Sequence, residues 1–122
     1  MDKLLKLIDC ERVRQNQQVN LIASENFTPQ HILDILATPL SNKYAEGFAA
    51  NRYYAGTRYV NEIEQLTIDA AKRVFKAEDF DVNVQALSGS PANLCVYNAF
   101  LQPGDAILSM KLNCGGHLSH GA

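Results

Sequence analysis

Ser88-Gly89-Ser90-Pro91 stands between an alternating apolar stretch and a run of helical periodicity, and no other feature constrains this chain so tightly. Val82, Val84 and Ala86 alternate with other side chains as a half-buried strand does. Beyond the serines, Leu94, Val96, Tyr97, Phe100 and Leu101 supply the apolar faces of a helix. Ser90 suits the cap of that helix and Pro91 its first turn. A strand that passes through a glycine turn into a helix leaves backbone N–H groups pointing outward. Two serine hydroxyls and the helix dipole add to them, and the whole suits a phosphate.

The rest of the pattern is helical at the front and mixed behind. Asp2 to Gln18 reads as a polar-rich amphipathic helix, and Asn20 to Ala23 as a short extended entry to Ser24-Glu25-Asn26. Thr28 is the predicted cap of a second helix, with Pro29 in its first turn; Ile32, Leu33, Ile35 and Leu36 form its apolar side, and Pro39 ends it. Ser41 to Tyr59 has no clean period, yet Tyr44, Tyr53, Tyr54 and Tyr59 argue for an ordered, functional loop. Asn61 is the predicted cap of a third helix, with Ile63, Leu66, Ala70 and Val74 on one face. Pro103-Gly104 predicts a type II turn, Ala106 to Met110 a second short strand, and Asn113 to Ala122 a loop rich in glycine and histidine. This order predicts an α/β fold whose sheet is only begun, since two strands cannot complete a doubly covered sheet.

Composition removes several classes. The 122 residues suit one modest domain, burying roughly two-thirds of the extended surface on folding. A net charge of −2 with scattered Lys and Arg argues against nucleic acid and anionic membranes as partners. Asp2, Lys3, Lys6 and Asp9 interrupt the leucines of the N-terminus, so it is not read as a secretion signal, and a cytoplasmic location is expected. Cys10, Cys95 and Cys114 are too irregular for a disulfide framework, and Cys95 reads as a small buried helix residue. Cys114, His117 and His120 have spacings that could offer three zinc ligands, but no second Cys/His cluster supplies a fourth, and no metal site is expected.

Four further blocks surround the phosphate turn: Leu21-Ile22-Ala23-Ser24-Glu25-Asn26, Asn42-Lys43-Tyr44-Ala45-Glu46-Gly47, Arg52-Tyr53-Tyr54-Ala55-Gly56, and Gly115-Gly116-His117-Leu118-Ser119-His120-Gly121. In this order they closely resemble the N-terminal part of serine hydroxymethyltransferase (glycine hydroxymethyltransferase), a pyridoxal-phosphate enzyme of the aminotransferase-like fold type I. Phe48-Ala49-Ala50 departs from the Tyr-Pro-Gly common at that point of the family. The resemblance implies an N-terminal arm with a tyrosine-rich active-site loop over residues 1–60, and the first part of the cofactor-binding large domain over 61–122.

The same resemblance implies roles. Ser88, Gly89 and Ser90 would hold the cofactor phosphate, and His117 would stack on its pyridine ring. Glu46 would meet the substrate hydroxyl and serve in proton transfer, with Tyr44 and Tyr54 against substrate or cofactor. Ser24 would contact the amino-acid carboxylate, and Leu112, Gly116 and Leu118 would line the folate side. Arg52 is expected to tie its loop together by salt bridging. The resemblance also implies serine, glycine and tetrahydrofolate as ligands, and a homodimer or a companion C-terminal chain.

None of the six lysines sits in a context like the family's Schiff-base lysine, which is expected beyond Ala122. The expectation is therefore a chain inactive by itself. The alternative is a noncatalytic piece that dimerises with or regulates a longer relative.

Overall fold

The computed structural model describes residues 1–120; Gly121 and Ala122, the end of the predicted glycine- and histidine-rich loop, lie outside the described residues. The chain divides into two compact units, 1–44 and 45–122.

The first unit is helical. Helix α1 spans Asp2–Gln17, with Asp2 in its first turn and Arg14 in its last, each complementing the helix dipole. Its surface is laced by Arg14–Glu11 at 2.6 Å and Arg12–Asp9 at 3.3 Å. Gln15 also donates to Glu11 at 2.8 Å. Bonds from Arg14 and Gln15, with the guanidinium charge, lower the Glu11 carboxyl to about 2.

Helix α2 spans Gln30–Leu36 and starts one residue later than predicted. Pro29 occupies the N-cap in an extended conformation (φ −59°, ψ 148°), and no side chain caps the helix. The Pro29 carbonyl accepts from Ile32 N–H at 3.0 Å, so the first turn closes on the proline and not on Thr28. The helix stops before Pro39 because that ring holds Thr38 extended (φ −87°, ψ 164°). Pro39–Asn42 then forms a 3₁₀ turn.

The second unit opens with an antiparallel hairpin inside the predicted irregular stretch. Strands β1 (Gly47–Phe48) and β2 (Asn51–Arg52) pair Gly47 with Arg52 and Phe48 with Asn51. Ala49 and Ala50 form the two-residue connection. Neither has the positive φ of the hairpin turns that match strand twist, in keeping with a ladder of two pairs.

Helix α3 spans Arg58–Phe75 with Thr57 at its N-cap, one helical turn ahead of the expected Asn61. Thr57 is buried, at 7% exposure. Asn61 therefore lies inside the first turn, where its side chain is taken by the hairpin: it accepts from Arg52 at 2.9 Å and donates to the Ala49 carbonyl at 3.3 Å. The covered face runs through Val60, Asn61, Glu64, Ile68 and Ala71, whereas Ile63, Leu66 and Val74 of the predicted stripe are exposed.

Helix α4 spans Gly89–Phe100. The Pro103-Gly104 turn forms as predicted, with Gly104 at φ 104° and Asp105 N–H donating to the Gln102 carbonyl at 3.0 Å. The two strands predicted at 82–86 and 106–110 do not form: neither segment has a ladder partner. A strand exists through its neighbour, and no neighbour is supplied here. The period-two signal survives in part, for Val82 and Val84 are half-buried while Asn83 and Gln85 are exposed. Phe48, Ile68, Val82 and Val84 line a shallow cleft of about 40 Å³. The architecture is a helical N-terminal region followed by a partial sheet with α3 and α4, consistent with the incomplete large domain of a fold type I enzyme.

No described hydrophobic residue is buried. Cys95, predicted to be buried, is exposed with Cys10 and Cys114, because α4 has no apolar layer against that face. No helix among the described residues is long and apolar enough to cross a membrane.

Candidate functional site

The start of α4 leaves backbone donors open to a ligand. Ser88 is extended (φ −163°, ψ 178°) and holds the N-cap position predicted for Ser90. Its carbonyl accepts from Ala92 N–H at 3.1 Å, closing the first turn. No side chain caps the helix. Gly89 and Ser90 therefore contribute amides that the helix itself cannot satisfy, while Pro91 has none to contribute. A Cβ at Gly89 would meet nothing within 4 Å, so this side of the turn is open for a ligand. Two amides, the Ser88 and Ser90 hydroxyls and the positive end of a 12-residue helix make a donor set that fits a phosphate group.

One turn further along α4, Asn93 reaches the histidine loop. Its Nδ2 donates to Ser119 Oγ at 2.8 Å. Ser119 Oγ lies 2.8 Å from His117 Nδ1, and the Ser119 backbone N–H donates to the same nitrogen at 3.1 Å. The two later turns of this loop are 3₁₀, over Leu112–Cys114 and Leu118–His120. His117 and His120 face each other obliquely, ring centres 6.1 Å apart. Sequence reasoning missed Asn93 and Ser119 as site residues; the signal for them is the four-residue step from Gly89 to Asn93 and the two-residue step from His117 to Ser119.

Gly116 permits a close approach, but the approaching group is the chain's own backbone. A Cβ there would fall 2.1 Å from the Met110 carbonyl oxygen and 2.8 Å from that of Lys111. The Lys111 carbonyl accepts from both Cys114 and Gly116 N–H at 2.9 Å, which folds the loop tightly. Gly115, at φ 100°, supplies the left-handed turn. Leu112 and Leu118 are exposed on this loop.

Glu46 is presented at the mouth of the hairpin. Its carbonyl accepts from Tyr53 N–H at 3.1 Å, and its side chain is exposed. The loop around it is tied by Arg52, whose side chain is 4% exposed. Arg52 Nη1 donates to the carbonyls of Ala45 (2.6 Å) and Gly47 (2.5 Å), one on each side of Glu46. Its Nη2 bonds Glu64 on α3 at 2.9 Å, so the expected salt-bridging role is met. Gln85 donates to Glu64 at 3.1 Å and to the Gly47 carbonyl at 3.0 Å, drawing the 82–87 segment onto the same hub. Partial burial alone would raise the Glu64 carboxyl. Bonds from Arg52 and Gln85, with the guanidinium charge, outweigh that and leave it below the usual carboxylate value. Tyr54 follows the hairpin, 44% exposed.

The second unit thus carries the turn that opens α4, the histidine loop and the Glu46 hairpin, and contacts between α4 and the last 3₁₀ turn join the first two directly. Ser24 and Tyr44 belong to the first unit. Ser24 lies in a turn closed by Glu25 N–H on the Ile22 carbonyl at 3.0 Å. Asn20 braces that turn, accepting from Ile22 N–H at 2.9 Å and donating to the Glu25 carboxylate. A groove of about 710 Å³ runs beside it, edged by Arg14, Asn20, Glu25 and Phe27; Ser24 is not part of its lining. Among the described residues, no three of His, Cys, Asp and Glu are grouped to hold a metal ion.

An uncapped serine–glycine turn opening α4, with a histidine loop docked on that helix, is consistent with the class that the family profile shows: the N-terminal part of a fold type I enzyme of the pyridoxal-phosphate-dependent kind. The profile of the family "Serine hydroxymethyltransferase" matches residues 1–122, and the chain belongs to that family. It is 49% identical over 120 residues to the serine hydroxymethyltransferase of Wigglesworthia glossinidia brevipalpis. It is 51% identical over 120 residues to those of Buchnera aphidicola (subsp. Acyrthosiphon pisum, strain 5A) and Desulfotalea psychrophila. Each match covers 98% of this chain and 28% of the relative, so the chain spans little more than a quarter of their length.

Proposed function

We propose that this chain supplies the phosphate cradle, the ring-contact histidine and the proton-transfer loop of a cytosolic enzyme interconverting serine and tetrahydrofolate with glycine and 5,10-methylenetetrahydrofolate. The family match over 1–122 gives the reading its class, and the uncapped start of α4 carries it chemically. When bound, pyridoxal 5′-phosphate supplies an electron sink for bond breaking at the amino acid. The residues do the rest. Gly89 and Ser90 amides with the Ser88 and Ser90 hydroxyls hold the phosphate, and His117 covers the pyridine ring. Glu46, exposed at the hairpin mouth, holds or moves a proton at the substrate hydroxyl oxygen. Ser24 binds the amino-acid carboxylate, Tyr44 and Tyr54 close on substrate or cofactor, and Leu112, Gly116 and Leu118 face the folate.

The covalent lysine belongs to a part of the protein outside these residues, and the 122-residue chain alone is inactive in this reading. The tyrosine loop serves the partner's site in a homodimer. Titration of the protein at its natural length with pyridoxal 5′-phosphate tests the cradle. Ser90→Ala removes a charge-assisted hydrogen bond and is expected to weaken binding about tenfold. Unchanged affinity would remove the phosphate from this turn.

A further inference from the structure

The contact between α4 and the histidine loop has a direction, and the backbone sets it. A backbone N–H can only donate, so the 3.1 Å bond from Ser119 N–H to His117 Nδ1 requires that nitrogen to be an unprotonated acceptor. The ring proton of neutral His117 is then on Nε2. Ser119 Oγ, 2.8 Å from the same Nδ1, must in turn give its hydroxyl proton to it. That leaves the oxygen's lone pairs for Asn93, whose Nδ2 donates at 2.8 Å. Every donor thus points the same way: Asn93 to Ser119, and Ser119 to His117. Asn93 and Ser119 are both half-buried, which shields the chain of bonds from competing water.

We infer that Asn93 and Ser119 are positioning residues that fix the tautomer and ring plane of His117, locking it to the helix whose first turn forms the phosphate cradle. The consequence for cofactor binding rests on the function proposed above; the relay itself does not. Asn93 is four residues beyond Gly89, one turn along the same face of α4. A displacement of the helix start is therefore passed to the histidine through two hydrogen bonds. A phosphate on the cradle and a flat ring under His117 are held in mutual register by side chains that touch neither.

The test begins with the cofactor-free protein at its natural length, labelled with ¹⁵N in its histidine rings; His117 signals are identified by their loss in His117→Asn. The wild type should show His117 as the Nε2-protonated neutral ring. Ser119→Thr keeps the hydroxyl and should keep that signature. Asn93→Asp preserves shape but captures the Ser119 hydroxyl proton, so it and Ser119→Ala should move the ring toward a mixture of tautomers. A wild-type ring protonated on Nδ1, or ring signals unchanged in both of those variants, would overturn the relay.

Pyridoxal 5′-phosphate affinity supplies the second arm. Asn93→Asp should weaken it about fivefold, the worth of one ordinary hydrogen bond, and should cost nothing further in a His117→Ala background. An equal loss in both backgrounds would show Asn93 acting other than through His117, against the inference. A wild type with the expected ring signature but no uptake of pyridoxal 5′-phosphate would support the relay and sink the cofactor reading, so the two fail separately.

Discussion

Arg52 shows at the scale of one residue how a loop without regular structure is held. Its guanidinium makes four hydrogen bonds, to Ala45, Gly47, Asn61 and Glu64, from a side chain only 4% exposed. Truncation would leave the Glu64 carboxylate, itself 16% exposed, without its charge partner. Arg52→Ala should therefore cost about 3 kcal/mol, read as a lower urea midpoint of the protein at its natural length. Arg52→Lys should recover only part of it, since an ammonium cannot span that fork. The same hub predicts a pH dependence. The Glu64 carboxyl is depressed in the folded state, so its contribution is complete above the unfolded value of about 4.3. It is lost as pH falls through the lower folded value. Stability measured downward from pH 5 should drop, and Glu64→Gln should flatten that drop.

At the scale of elements, each helix end follows from a local rule. Helix α3 ends at Lys76 in the left-handed conformation (φ 52°, ψ 47°), with Ala77 N–H donating back to the Lys72 carbonyl at 2.9 Å. A side chain with a Cβ is disfavoured there by about 1 kcal/mol, so Lys76→Gly should raise the urea midpoint by that equivalent. The helices were legible because their apolar and polar residues repeat within each segment. Their starts were less so: Thr57 took the cap expected of Asn61, whose side chain is drawn into bonds with Arg52 and the Ala49 carbonyl, and Ser88 took the cap expected of Ser90. The strands at 82–86 and 106–110 were misjudged for a different reason. Alternation records which side chains are apolar, whereas a ladder needs a second strand, and none of the described segments pairs with them. The open turn at the start of α4 was visible as serine and glycine ahead of a helical run. The relay from Asn93 was not, because Ser119 comes 26 residues later and only folding brings the two together.

The whole molecule exposes what isolated helices would hide. Leu66, Val74, Phe75, Phe80, Leu87 and Phe100 are each more than two-thirds exposed, and no described hydrophobic residue is buried. Apolar faces of that extent belong against other structure. The relatives provide the scale, since this chain matches 28% of their length. The candidate groups fall in both compact units, with Ser24 and Tyr44 in one and the cradle, His117 and Glu46 in the other. Most of the proposed chemistry is therefore concentrated in residues 45–122, while the first unit is assigned a substrate contact and part of the tyrosine loop. The most direct measurement is a crystal structure of the protein at its natural length grown with pyridoxal 5′-phosphate. The phosphate should lie within hydrogen-bond distance of the Gly89 and Ser90 amides, and the His117 ring over the pyridine. A phosphate bound elsewhere, with the start of α4 empty, would contradict it.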